Sequence, residues 1–151
     1  MSAEFEQLKR SSVLQLLFKT GRLAEEDALE RIRRETGLPN LRRAHMACFP
    51  HIDLAGTRLT AIAERMGLRK QSVAALVEDL VVMQMLERVP DPSDRRAKLV
   101  CFKGGTDALA AGVEHLIHYE RELAARLGED TMKTLHSNLL ALEAALLGAR
   151  S

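Results

Sequence analysis

The sequence has no Trp, one Tyr and four Phe in 151 residues, so aromatic stacking contributes little to any core or binding surface. Its two cysteines, Cys48 and Cys101, are too few for the disulfide framework that staples small secreted domains. Four prolines and nine glycines interrupt it rarely, which leaves room for long helices. No apolar run approaches the ~20 residues that span a bilayer. The N-terminal MSAEFEQLKR carries acids where a secretory signal has an apolar core. A soluble, cytoplasmic protein with no membrane partner is expected. Neither sign of charge dominates: 22 basic residues face 21 acidic ones.

What is present favours helix. Leu and Ala make up about three residues in ten, with Glu, Arg and Met supplying much of the rest. Charge is unevenly spread. Residues 56–103 hold nine Lys/Arg against six Asp/Glu, residues 104–151 four against seven, and residues 1–55 nine against eight. A middle segment more basic than its C-terminal flank suits an anionic partner.

From Ser12 to Thr36, Leu14, Leu17, Phe18, Gly21, Ala24, Ala28 and Ile32 recur every three or four residues, one stripe of a long helix that Gly37 and Pro39 end. The spacing predicts a second helix over roughly Asn40–Phe49, stopped by Pro50, then a connection from His51 to Gly56. Leu59–Met66 reads as a short helix closed by Gly67, and Lys70–Met83 as another, with Val73, Leu76, Val77 and Leu80 on one face. Two short helices joined by a Gly-containing turn are a helix-turn-helix candidate. Glu87–Val89 and Lys98–Phe102 are β-prone runs around the turn formers Pro90–Asp94, which is a hairpin with Arg95, Arg96 and Lys98 at and just past its tip. Beyond Gly104-Gly105 the pattern is helical: Leu109, Val113, Leu116 and Ile117 lead on to Gly128. Asp130 or Thr131 is then placed to cap a last helix carrying Met132, Leu135, Leu139, Leu142 and Leu146. No repeat or linker breaks residues 1–151, so one domain is expected, mainly α with a small β-hairpin wing.

In this order of elements the sequence resembles the MarR family of bacterial transcription regulators. Two segments carry the resemblance: LTAIAERMGLRKQSVAALVEDL (Leu59–Leu80) and LERVPDPSDRRAKLVCF (Leu86–Phe102). The second is the more specific, with a D-x-R at the wing tip, Asp94-Arg95-Arg96, followed by Ala97 and an apolar strand. The resemblance implies a winged helix-turn-helix over residues 40–104, flanked by dimerisation helices in residues 1–37 and 105–151. It also implies a homodimer on a pseudo-palindromic operator in double-stranded DNA, acting as a repressor that a small ligand, in many members an aromatic acid, relieves. Independently, ~30 Å helices with wide apolar faces need another surface to cover them. The competing reading is a winged helix that binds protein and not DNA.

A helix in the major groove contacts base edges with its N-terminal half, while phosphate contacts supply most of the affinity. Arg69, Lys70, Gln71 and Ser72 occupy that end, with Ala74 and Ala75 following. Gln pairs with adenine and Lys with guanine. Ala74 and Ala75 are small where relatives commonly carry Arg or Ser. Val81, Val82 and Met83 replace charges, and Gln84 stands where Gly is common. At the wing, Arg96 matches the family arginine that enters the minor groove and Asp94 the acid that orients it. Arg95 and Lys98 are then phosphate neutralisers. An ordinary surface ion pair between Asp94 and Arg96 is the plainer alternative.

Catalytic signals are poor. His115 and His118 lie three apart with Glu114 and Glu122 near, yet no third metal ligand has reliable spacing. No nucleophile motif or phosphate loop is present, so no enzyme, metal or cofactor is expected. Arg42 or Arg43 with His45, Phe49 and His51 are the ligand-cleft candidates, although the same residues suit core packing and a solvated turn. The missing Trp argues against a urate-type effector. Cys48, between Met46 and Phe49, reads as a core thiol, and Cys101 as the more exposed one.

Overall fold

A computed structural model describes residues 2–149. Its elements are α1 (Ser2–Ser11), α2 (Val13–Thr36), α3 (Arg43–Met46), a 3-10 turn (Phe49–His51), β1 (Thr57–Arg58), α4 (Leu59–Met66), α5 (Lys70–Val82), β2 (Leu86–Asp91), β3 (Asp94–Phe102), α6 (Gly105–Leu127) and α7 (Glu129–Gly148). The fold is mostly helical with one small antiparallel sheet, ordered β1-β3-β2. Two compact units divide it, one up to Ala111 and one from Gly112 onward.

In the first unit, Ser12 caps α2, its hydroxyl accepting the Gln15 N–H, and Gly37 stops it in the left-handed region at φ +67°. Gly67 ends α4 the same way. Leu29 and Ile32 of α2 join Leu41, Cys48, Ile52, Ile62, Ala63, Val73, Val77, Leu80, Leu86, Val100 and Phe102 in one core. That core fixes α4 and α5 against the sheet. In β2 and β3, Leu86 faces Phe102 and Arg88 faces Val100.

Several expectations are revised. The helix expected over Asn40–Phe49 shrinks to the four residues of α3, because the His45 ring accepts the Arg42 N–H at 3.0 Å and starts the turn there. Pro50 does not stop it but sits inside the following 3-10 turn, a place where its missing N–H costs nothing. Strand β1 and helix α1 were not legible in the pattern. The hairpin turn is tighter than Pro90–Asp94, since Asp91 and Asp94 already pair across it.

In the second unit, α7 begins straight after Gly128, whose φ of +94° suits glycine, so neither Asp130 nor Thr131 serves as its cap. No residue of α7 is buried. Leu135, Leu139, Leu140, Leu146 and Leu147 stand exposed on it, and Val113, Leu116 and Ile117 on α6.

Candidate nucleic-acid interface

α5 is held by its inner face. Val73, Val77 and Leu80 are fully buried, one helical turn apart, which leaves Lys70, Gln71, Ser72 and Ala75 exposed on the outer face and Ala74 half-buried at its margin. Arg69 precedes the first turn in an extended conformation and is also exposed. Further along, Glu78 is tied to Arg88 of β2 at 3.3 Å. Positive charge therefore collects at the helix N-terminus, and acids lie beyond its middle.

The wing is built around two carboxylates. Asp91 accepts the Ser93 N–H at 2.8 Å and the Ser93 hydroxyl at 2.6 Å on Oδ1, and Arg58 Nε at 2.7 Å on Oδ2. These partners, Ser93 first and Arg58 after it, hold its carboxyl down at about 2. Asp94 accepts the backbone N–H of Arg96 at 3.0 Å. Among the described residues it forms no ion pair with the Arg96 guanidinium, so it sets the arginine's backbone and leaves the side chain free. Pro90 faces Lys98 whereas Asp91 faces Asp94, which leaves Arg95, Arg96 and Ala97 without residues opposite them. Such a bulge re-aims side chains.

The distribution of partners among the cations is informative. Of the nine Lys/Arg in residues 56–103, Arg58, Arg65 and Arg88 sit in ion pairs and Lys103 donates to Gln84. The other five are Arg69, Lys70, Arg95, Arg96 and Lys98, all exposed and with no acid partner among the described residues.

The residues considered for a ligand cleft are not gathered into one cavity. His45 is fully buried; with Nδ1 accepting from Arg42, its Nε2 carries the hydrogen and donates to Asp79 at 3.2 Å. Arg42 also pairs with Asp79, and Arg43 with Glu25. Phe49 packs on Phe102, ring centroids 5.9 Å apart, against the core. The His51 carbonyl accepts from Arg65 at 2.9 Å. Of these residues only Arg42 lines the open groove of about 500 Å³ formed with Pro39, Asn40, Asp79, Val82 and Met83. Cys48 is buried, and burial pushes its thiol pKa up; half-buried Cys101 is raised by burial and by Glu87. Neither is an activated thiol. Among the described residues no three His, Cys, Asp or Glu gather as metal ligands, and no helix is long and apolar enough to cross a membrane.

The model of the MarR family matches residues 44–97, from α3 to the wing tip. This segment is similar to the winged helix of the MarR family. Solved structures extend the likeness to both sides of it. RV1404 from Mycobacterium tuberculosis is 20% identical over 88% of this chain and 90% of that one, with a TM-score of 0.68. MarR itself is 22% identical over 87% and 97%, with a TM-score of 0.67. The transcriptional repressor CouR, solved on a 23-mer DNA duplex, is 21% identical over 89% and 94%, with a TM-score of 0.61. CouR from Rhodococcus jostii RHA1 has also been solved with p-coumaroyl-CoA. At such identities the likeness is one of fold. No curated protein sequence matches the chain.

Two residues of this winged helix carry no clear signal in the sequence. Arg58 and Asp91 are 33 positions apart, and neither belongs to the D-x-R. The only sequence signal was Asp91 between two prolines in a turn, a place where Asp commonly caps its own backbone.

Proposed function

We propose that the protein is a homodimeric transcription regulator, a repressor, that binds a pseudo-palindromic operator in duplex DNA. The observation that carries this reading is the set of five unpaired cations on a MarR-family winged helix, at the start of α5 and on the wing. Arg69 and Lys70 neutralise phosphates at the mouth of the major groove, where Gln71 and Ser72 reach base edges. Ala74 and Ala75 leave room for close approach, and the exposed Ala75 methyl suits a thymine methyl. Arg96 enters the minor groove, flanked by Arg95 and Lys98 on phosphates. Exposed leucines on α7 and apolar residues on α2 and α6 give a second copy a surface to cover. Relief by a small ligand rests on the likeness to CouR, and the open groove beside Arg42 offers room for a small molecule.

Selection of bound genomic fragments followed by salt titration tests the reading. Log affinity for the selected duplex should fall steeply with log salt. Arg96→Ala should weaken binding to most sequences and make that slope shallower by about one per arm. Gln71→Ala should cost about 1–3 kcal/mol on the operator and little on random duplex. Salt-independent or absent duplex binding by the parent chain would hand the function to a protein-interaction module.

A further inference from the structure

Arg58 lies on β1, outside the helix-turn-helix and outside the hairpin, yet its guanidinium is directed into the wing tip. One terminal nitrogen stands 2.6 Å from Asp91 Oδ2, the oxygen that also accepts Nε, and 3.8 Å from Asp94 Oδ2. Each carboxylate then uses its other oxygen to hold backbone, Asp91 the Ser93 N–H and Asp94 the Arg96 N–H. One cation thus fastens both ends of the turn to the outer strand of the sheet. The fastening matters because Arg95–Ala97 have no residues opposite them. Without it, few contacts would fix the direction in which Arg95 and Arg96 leave the hairpin.

We propose that Arg58 is the positioning residue of the wing, fixing through Asp91 and Asp94 the backbone from which Arg95 and Arg96 reach the duplex. This rests on the DNA-binding reading above. Arg58 is poorly suited to contact phosphate directly, since its Nε and one terminal nitrogen are already engaged by carboxylates. Asp91 is only 6% exposed, so loss of its guanidinium partner leaves a charge that must turn toward water, carrying the Ser93 turn with it. A preformed tip spends no binding energy on ordering a loop.

The test uses the full chain with Arg58→Met, which keeps the stem, Arg58→Lys, which keeps the charge but loses the planar fork, Arg96→Ala, and the Arg58→Met/Arg96→Ala double variant. Amide hydrogen exchange is read without DNA, and operator affinity against salt is read with it. Arg58→Met should speed exchange at Ser93 and Arg96 while core amides of α5 stay protected, and should weaken operator binding on the order of tenfold. Arg58→Lys should fall between it and the parent. In the Arg96→Ala background, Arg58→Met should add much less than it does alone, because the group it positions is gone. Unchanged exchange at Ser93 and Arg96 overturns the proposal whatever the DNA result. Fully additive losses overturn it in favour of a separate Arg58 contact. A parent chain that does not bind duplex removes the function reading itself, an outcome distinct from both.

Discussion

Gln84 is the one non-glycine residue with a positive φ among those described, at +63°. It follows Met83, the C-cap of α5, and sends its N–H to Val81 O at 3.0 Å while Met85 sends its own to Leu80 O at 3.0 Å. That paired closure favours glycine, and a side chain there costs about 1–2 kcal/mol. The glutamine recovers part of it, donating to Val81 O at 3.2 Å and accepting from Lys103. Both bonds are exposed and weak, and glycine adds freedom to the unfolded chain. Gln84→Gly should therefore raise stability by about 0.5 kcal/mol in urea unfolding at fixed protein concentration. A loss would mean that the link to Lys103 outweighs the backbone strain. Asp91 makes a second residue-scale prediction. Its carboxyl sits at about 2 against an ordinary 3.8, so its contribution is complete above the ordinary value and fades as pH falls toward the lower one. The Ser93 amide resonance should move over that acid window and stay still from about pH 5 to 8. Asp91→Asn should abolish the movement.

Elements whose ends are marked chemically were legible in the sequence. Gly37 and Gly67 close α2 and α4 in the left-handed region, and the helical period of Val73, Val77 and Leu80 fixed the buried face of α5. Elements defined by distant partners were not. Strand β1 is two residues long, too short for any alternation, and exists because Thr57 and Arg58 pair with Val100 and Leu99. α3 is short because His45 spends its ring on Arg42 and on Asp79, 34 positions away, a link that no local pattern announces. The same holds at the candidate site: the cations of α5 and the wing could be named from the sequence, whereas the Arg58–Asp91 fastening could not. Gly56 shows how tightly β1 is fitted. Its φ is +88°, and a Cβ there would lie 2.5 Å from Cys101 Sγ and 3.1 Å from Leu99 Cβ. Gly56→Ala should cost about 1–3 kcal/mol and loosen β1 from β3. Circular dichroism melts and exchange at Arg58 would register it, and an unchanged melt would count against the close fit.

For the molecule as a whole, the question is what covers its leucines. Leu139 is 42% exposed and Leu147 59%, on a helix with no buried residue, and Val13, Leu14 and Phe18 of α2 are exposed as well. A second copy that covers these faces makes folding and assembly one event. Leu139→Glu with Leu142→Glu should then leave a chain that sediments as monomer or aggregate and melts well below the parent. A monomer with the parent's melting temperature would show that the faces need no cover. The bare apolar surface of α7 also bears on how long the protein lasts. If only a partner conceals it, the fraction concealed follows the number of copies present. When synthesis slows, the remaining chains meet less often, and those left single offer hydrophobic sequence to proteases. Scarcity then hastens removal, so the amount of the protein would fall more abruptly than dilution by growth alone allows.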